Sequence, residues 1–331
     1  MKRSLGLVLI AAFPALAQTA PSAPATPAPQ PGAPAAQPAT KPAKPATYDE
    51  KADAKAQIAS ALAKAKKENR RVLVQWGANW CGWCHKLHGT FTGDAKTKRV
   101  LMYEYDLVLV DIGRFDKNMD LAASYGADLR ASGVPFLTVL DAEGKAIANQ
   151  ETGALELPAS KEEPYPGHDA AKVVAFLEAH KAPYLDASAV LAAGMERAKK
   201  ENKRVFLHFG APWCGWCHRL EDWMARPEVA AILDKEFVDV KIDEDRMIGG
   251  KDVEKSQRGD VKGGIPWFAF VDPASGEKIA TSDGPKGNVG FPAQPDEIEH
   301  FMVMLKACKN ITAEDAATLK KTLESKPEKP Q

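Results

Sequence analysis

The sequence predicts an α/β protein of two tandem domains, each with a central mixed β-sheet flanked by helices. The first observation behind this prediction is an internal duplication. The hexapeptide WCGWCH at 80–85 recurs at 213–218, and KKEN at 66–69 recurs at 199–202, both shifted by 133 residues. A third block, GVPF at 133–136, recurs as GIPW at 264–267. The second observation is that both copies show the same order of helical and strand patterns, which indicates two copies of one fold.

In each copy a helical segment comes first, followed by a short apolar strand, the cysteine motif, a second helix and a second strand. A further helical stretch, two strands joined by a tight turn and a closing helix complete the copy. The predicted strands are 72–76, 107–112, 136–140 and 145–149, then 205–209, 238–242, 267–271 and 278–281. The predicted first and closing helices are 52–67 and 170–180, then 187–200 and 296–309. Alternating elements that end in a hairpin predict a mixed sheet.

The N-terminal residues have the three parts of a secretory signal peptide, which we place at 1–17. Lys2 and Arg3 precede an apolar run at 5–13 and a small-x-small site at 15–17. The run is shorter than the roughly 20 residues that span a bilayer, so we expect no stable membrane insertion after cleavage. Residues 18–47 are rich in Ala and Pro and predict an extended linker. We expect the domains at 48–183 and 184–311, and a polar C-terminal tail at 312–331.

Composition narrows the classes of partner and compartment. The 331 residues suffice for two domains of ordinary size, and 45% of them are apolar. Lys plus Arg equals Asp plus Glu at 44 each, so the chain has no excess of positive charge to neutralise phosphates. This disfavours nucleic acid as a partner. The predicted signal peptide implies a secreted or periplasmic protein, in a compartment where disulfides persist. Five cysteines are too few for a disulfide scaffold, and four of them form two close pairs.

Each close pair has the pattern of a reactive dithiol. Its first cysteine follows a buried strand and opens a helix, where unpaired backbone N–H groups and the macrodipole favour a thiolate. The second cysteine, one turn later, is placed to attack a mixed disulfide and release the substrate. We therefore assign Cys81 and Cys214 as attacking thiols, and Cys84 and Cys217 as resolving thiols.

The strand-CxxC-helix context, followed about fifty residues later by Gly-(Val/Ile)-Pro before a strand, resembles the thioredoxin superfamily. Within it, the chain is similar to bacterial exported thioredoxin-like and thiol:disulfide interchange proteins, over roughly residues 48–309. The resemblance implies that Pro135 and Pro266 are cis and face the dithiols. It also implies that the backbone at Val134 and Ile265 is available to an extended substrate peptide.

The chain departs from thioredoxin in two ways. Gly-Trp replaces Gly-Pro between the cysteines, and the buried acid six residues before the first cysteine is replaced by Gln75 or His208. Proton transfer to the resolving thiol then needs another route, for which His85 and His218 are candidates. An equal alternative is that both are helix-surface residues that stabilise the thiolate. For His208 we favour a hydrogen-bonded strand residue over a titrating group near neutral pH.

The tryptophans around the cysteines predict a substrate-contacting surface. Trp83 and Trp216 should point largely to solvent and offer apolar contact area. The tryptophans before the attacking cysteines, Trp80 and Trp213, belong to the same predicted surface. Trp76 instead predicts core packing, and Cys308, in an apolar helical run, predicts a buried thiol over an intermolecular disulfide.

Three alternatives use the same residues. Cys-x-x-Cys-His is also the attachment signature of c-type haem, which would make the chain a dihaem cytochrome with His85 and His218 as iron ligands. The strand before each motif and the recurring Gly-(Val/Ile)-Pro disfavour this. A structural zinc site lacks a fourth ligand in the motif. A non-catalytic binding module on the same scaffold is disfavoured by intact dithiols in both copies.

The sequence thus favours an extracytoplasmic thiol–disulfide oxidoreductase that acts on protein thiols and disulfides. The chemistry needs no cofactor and no metal. Because the chain is predicted to carry no membrane domain, a separate redox partner would recycle the dithiols. The direction of exchange depends on hydrogen bonds and dipoles that a sequence does not show, and the resemblance favours a protein-disulfide reductase.

Overall fold

The computed structural model describes residues 46–325. The predicted signal peptide, nearly all of the predicted linker and residues 326–331 lie outside this range. Across the described residues, no helix is both long and apolar enough to cross a membrane. One compact unit holds both predicted domains.

The first domain is a four-stranded sheet with helices on both faces. Its strands are β1 (Arg71–Gly77), β2 (Tyr105–Asp111), β3 (Phe136–Leu140) and β4 (Ala146–Glu151). Its helices are α1 (Ala54–Glu68), α2 (Gly82–Gly93), α3 (Ala95–Glu104), α4 (Met119–Ser124), α5 (Leu129–Ser132) and α6 (Ala170–His180). The strand order is β2-β1-β3-β4, in which β1 pairs in parallel with β2 and the other two pairings are antiparallel. The sheet is therefore mixed.

The second domain repeats this architecture. Its main strands are β5 (Arg204–Gly210), β6 (Phe237–Asp243), β7 (Trp267–Val271) and β8 (Lys278–Thr281), and a small hairpin follows with β9 (Asp283–Gly284) and β10 (Gly287–Asn288). Its helices are α7 (Ala187–Glu201), α8 (Gly215–Met224), α9 (Pro227–Glu236), α10 (Gly250–Arg258), α11 (Pro295–Leu305) and α12 (Ala313–Glu324). The order β6-β5-β7-β8 matches the first sheet strand for strand. The predicted fold class is confirmed.

The duplicated sequence blocks have local structural causes. In KKEN, the asparagines Asn69 and Asn202 end α1 and α7 with φ of 51° and 52°, a left-handed conformation that asparagine tolerates. The central strands β1 and β5 are buried along all but their first residue, because helices cover both faces of each sheet. Both strands therefore lead directly from the core to the cysteine motif at their carboxyl end.

The segment 312–331, which we expected to be a polar tail, contains a packed helix. The Thr312 and Asp315 side chains form a capping box that starts α12. Leu319 and Leu323, one turn apart, are buried in the core of the second domain. The Trp223 indole also donates a 2.9 Å hydrogen bond to the Thr322 hydroxyl. The two leucines of this helix lie on one face that packs on the core, so the second domain extends beyond residue 311.

Candidate functional site

Each dithiol lies between the central strand and the helix that follows. Cys81 and Cys214 are the N-cap residues of α2 and α8, and their sulfur atoms accept hydrogen bonds from the backbone N–H of Cys84 and Cys217 at 3.1 Å. Both pairs are disulfides in this structure. Cys81 is 5% exposed, whereas Cys84 is fully buried. A helix N-terminus that donates to the first sulfur would stabilise its thiolate after reduction.

The predicted proline segments face these disulfides. The Val134–Pro135 and Ile265–Pro266 peptide bonds are cis. The carbonyl oxygen of Val134 lies 3.5 Å from the Cys81 sulfur, and that of Ile265 lies 3.6 Å from the Cys214 sulfur. Backbone polar groups therefore stand directly beside the sulfur that we assign as nucleophile in each domain.

Below the first dithiol lies a neutral polar pair. Gln75 is fully buried, and its side-chain N–H donates to the Tyr48 hydroxyl at 2.5 Å and to the Cys84 carbonyl at 3.2 Å. Burial raises the pKa of the Tyr48 hydroxyl well above its ordinary value. A Cβ on Gly77 would approach the Cys84 sulfur at 2.8 Å and overlap Tyr48, so only glycine fits there. Tyr48 is a site residue that we did not predict, although it is the first aromatic residue after Phe13.

Below the second dithiol lies a charged pair. A Cβ on Gly210 would stand 3.3 Å from the Cys217 sulfur and 3.8 Å from a Glu221 carboxylate oxygen, so both groups flank this one glycine. Glu221 is 8% exposed, and the Lys241 ammonium lies 2.8 Å from its carboxylate. Sequence reasoning missed Glu221 because it belongs to the helix, four residues after Cys217, and not to the strand.

His208 replaces the expected acid of the second strand and has a partner of its own. Its Nε2 lies 2.8 Å from the Asp239 carboxylate, and the side chain is almost fully buried. Burial alone would raise the pKa of Asp239, but the neighbouring His208, Lys67 and Lys241 hold it below its usual range. His208 is therefore a hydrogen-bonded strand residue in this structure.

The two motif histidines contact the loops that precede the cysteines. His85 Nε2 lies 2.7 Å from the Asn79 carbonyl oxygen, and its Nδ1 lies 3.0 Å from the Thr47 hydroxyl. His218 Nε2 lies 2.9 Å from the Pro212 carbonyl oxygen. These hydrogen bonds are directed at the loops and not at a sulfur atom.

The tryptophans differ between the domains. Trp213 and Trp216 are 57% and 51% exposed, and Trp80 is 45% exposed. Trp83, which we expected at the surface, is half-buried because its ring packs edge-on against Tyr165 and His168. This contact comes from the segment between β4 and α6, which is longer than its counterpart in the second domain. Trp76 lies in the core, as its place in β1 predicted.

The second dithiol has an open groove beside it. Trp216 stacks on Phe291 with ring centroids 6.3 Å apart, and both side chains line a cavity of about 330 Å³ together with Ile265 and Pro266. Asn288 and Glu297 also line this cavity. The groove thus combines an apolar platform with polar side chains beside the Cys214–Cys217 disulfide.

Cys308 stands apart from both dithiols. It packs partly buried against the core of the second domain, and burial raises the pKa of its thiol to about 12. Between residues 46 and 325, no group of three or more His, Cys, Asp or Glu side chains is arranged to hold a metal ion. The four motif sulfurs are bonded in two pairs, Cys81 with Cys84 and Cys214 with Cys217.

Known proteins match parts of this chain. Spermatogenesis-associated protein 20 of Homo sapiens is 38% identical over 61 residues, which are 18% of this chain and 7% of that protein. Disulfide bond reductase DsbH of Chlamydia pneumoniae is 28% identical over 99 residues, which are 27% of this chain and 57% of that protein. The chain thus spans less than two thirds of the length of these relatives. Among solved structures, a disulphide isomerase from Xylella fastidiosa Temecula1 is 28% identical, covers 40% of this chain and 95% of its own, and has a TM-score of 0.34.

A family model described as thioredoxin-like matches each copy separately, at residues 53–142 and 186–273. Each match includes the central strand, the cysteine motif and the cis-proline segment of its domain. Because the two matches together cover more than half of the chain, this protein belongs to the thioredoxin-like family.

Proposed function

We propose that this protein is an extracytoplasmic thiol–disulfide oxidoreductase that reduces disulfides in other proteins through its two dithiols. The observation that carries the proposal is the pair of disulfides, each at a helix N-terminus beside the carbonyl of a cis-proline segment. Similarity to a relative named disulfide bond reductase supports the direction. The predicted signal sequence at 1–17 supports export.

The reaction proceeds in two exchanges that conserve atoms and electrons. The reduced Cys214 thiolate attacks one sulfur of a substrate disulfide, forms a mixed disulfide and releases the other substrate sulfur as a thiolate. The Cys217 thiolate then attacks the Cys214 sulfur, which releases the second substrate thiolate and forms the Cys214–Cys217 disulfide. The substrate gains two electrons and two protons. A separate dithiol partner then reduces the Cys214–Cys217 disulfide and so returns the two electrons. Cys81 and Cys84 react in the same two steps.

Substrate binding is assigned to the groove of the second domain. An extended peptide would hydrogen-bond to the backbone beside Ile265 and lay an apolar side chain on Trp216 and Phe291. In the first domain, Val134 offers the same backbone, but Trp83 is partly covered by Tyr165. We therefore assign protein substrates chiefly to the second dithiol.

We also assign a proton acceptor to Cys217, the resolving thiol of the second domain. Cys217 attacks only as a thiolate, and it lies in a buried place where its proton has no direct path to water. The Glu221 carboxylate flanks the same glycine, and Lys241 balances its negative charge. Gln75 and Tyr48 occupy this place in the first domain, and neither carries a negative charge near neutral pH. We therefore expect resolution to be faster at the second dithiol.

Glu221→Gln is expected to slow resolution at the second dithiol about 100-fold, because general-base assistance typically contributes 10²–10⁴-fold. The mixed disulfide at Cys214 should then accumulate, which acid quenching and mass spectrometry measure directly. Asp222→Asn, at the exposed next residue, is the matched control and should leave the rate unchanged. Equal rates for the two variants would remove Glu221 from the mechanism.

A redox titration in glutathione buffers tests the proposed function as a whole. Trypsin separates the two pairs, because residues 72–86 and 205–219 each form one peptide that contains a single CGWC motif. Thiol trapping and mass spectrometry then give a midpoint potential for each pair. For a reductase we expect midpoints near the thioredoxin end of the range, at about −230 mV or lower.

The alternatives give different titrations. Midpoints at about −180 mV or higher would reverse the proposed direction and indicate an isomerase or oxidase. If neither pair cycled between dithiol and disulfide, the oxidoreductase function would be wrong and a binding module would replace it.

A further inference from the structure

The tryptophan that precedes the attacking cysteine is anchored differently in the two domains. The Trp80 indole donates a 2.6 Å hydrogen bond to the backbone carbonyl of Gly113. The Trp213 indole donates a 2.9 Å hydrogen bond to the side-chain carboxylate of Asp245. Gly113 and Asp245 are equivalent positions, each two residues beyond the end of the second strand. The second domain thus uses a side chain where the first domain uses a local backbone carbonyl.

That side chain also binds the first domain. The same Asp245 oxygen, Oδ2, accepts a hydrogen bond from the Tyr103 hydroxyl at 2.9 Å, and Lys251 lies 3.1 Å from Oδ1. Burial would raise the pKa of Asp245, but its bonds to Lys251, Tyr103 and Trp213 outweigh this and lower it. One carboxylate therefore connects a buried tyrosine of the first domain to the tryptophan beside the second dithiol.

The neighbouring residues hold this connection in place. Arg246 donates to the Glu104 carboxylate through Nε at 3.2 Å and Nη2 at 3.1 Å. It also donates to the backbone carbonyls of Glu68 and Asn69 at 2.9 and 2.8 Å. Arg246 and Glu104 are 3% and 2% exposed. The adjacent residues 103–104 and 245–246 thus form two parallel contacts between the domains, one ionic and one that leads to Trp213.

We propose that Tyr103 is a positioning residue for the second dithiol. Its hydroxyl fixes the Asp245 carboxylate, and the carboxylate fixes the Trp213 indole beside Cys214. Trp213 is more than half exposed, so little packing restrains its ring. The hydrogen bond from its indole to Asp245 therefore restricts the rotation of the ring. The substrate face of the second domain is therefore complete only when the first domain is docked on it. This inference rests on the proposed function and assigns the first domain a second task within it.

Tyr103→Phe removes only the hydroxyl, and Tyr184→Phe is its matched control. The Tyr184 hydroxyl also donates to an interface carboxylate, Glu104, at 2.6 Å, but has no described bond towards Trp213. Both variants are made in a full chain with Cys81→Ser and Cys84→Ser, so that only the second dithiol reacts. Turnover of a synthetic peptide with one internal disulfide is measured with dithiothreitol as reductant.

For Tyr103→Phe we expect KM to rise about three- to tenfold at unchanged kcat. This is the size of effect expected when one hydrogen bond that orients the substrate-binding surface is lost. Tyr184→Phe should leave both constants unchanged. Asp245→Asn keeps an acceptor oxygen and should lie nearer the wild type than Asp245→Ala. Equal KM values for the two tyrosine variants would overturn the proposal.

A second readout does not depend on turnover. In chains with all cysteines intact, iodoacetamide alkylation of the reduced protein is followed in the peptides 72–86 and 205–219. Tyr103→Phe should change the rate at Cys214 and leave that at Cys81 unchanged. If the wild type fails to turn over peptide, the proposed function is wrong, and the alkylation rates still decide the role of Tyr103. Unchanged rates at both cysteines, or equal changes at both, would reject it.

Discussion

Cys214→Ser is expected to abolish reduction at the second domain, with a loss of about 10³-fold or more, because removing a covalent nucleophile disables the whole catalytic unit. The disulfide of the first domain should still form and open in the same molecule. Mass spectrometry of the two tryptic peptides measures both outcomes in one sample. If our assignment of substrates is right, reduction of a protein substrate falls far more in this variant than in Cys81→Ser.

Two further variants make this result specific. Cys217→Ser should keep the attack and lose the resolution, so that a mixed disulfide with the substrate accumulates at Cys214. Cys308→Ser is the matched control, because the burial that raises its thiol pKa to about 12 keeps it protonated near neutral pH. Full activity in Cys214→Ser would show that the second dithiol is not the site of attack.

Arg246→Ala is expected to lower the free energy of unfolding by about 3–5 kcal/mol, because it leaves the Glu104 carboxylate buried without its positively charged partner. The carbonyls of Glu68 and Asn69 lose their donor at the same time. Chemical denaturation followed by far-UV circular dichroism measures the change. Lys199→Ala, at an exposed ion pair with Glu196, is the control and should have little effect.

A double variant separates two causes of the lower free energy of unfolding in Arg246→Ala, the unpaired charge of Glu104 and the loss of side-chain packing. Replacing Glu104 and Arg246 together with Met and Leu removes both charges and should recover a large part of the stability, since the main penalty is an unpaired buried charge. If the double variant were as unstable as Arg246→Ala, the ion pair would not be the source of the effect.

Much of the fold could be predicted because short sequence patterns determine it. The central strands are mainly apolar runs, and β3, β7, β8 and α6 have the bounds predicted from the sequence pattern. β2 begins at Tyr105, two residues before its predicted start. The second of these residues, Asp106, is accommodated in the strand because its carboxylate forms ion pairs with Arg70 and Lys64. Polar residues at strand ends are thus held by partners that a local pattern does not show.

The supporting residues of the candidate site are harder to predict, since their partners are distant in sequence. The spacing of the four cysteines, two residues between the members of each pair, is enough to predict their role. Glu221 is identified only in the folded chain, where helix α8 places it beside Gly210, which Cys217 also flanks, and β6 brings Lys241 to its carboxylate. Tyr48 reaches Gln75 across 27 residues, and Tyr103 reaches Asp245 across 142. Without an alignment, no single-sequence pattern relates such positions.

The unequal anchoring of Trp80 and Trp213 has a consequence for how a duplicated gene diverges. The carbonyl that anchors Trp80 belongs to Gly113, where a φ of 56° and the nearby Asp116 side chain disfavour any residue with a Cβ, so the first copy keeps its anchor only while position 113 stays glycine. The second copy depends on the side chain at 245, and a single codon change can remove or alter its anchor. After duplication the two copies would therefore lose their tryptophan anchors through different substitutions, so that the substrate face of one copy could change without altering that of the other.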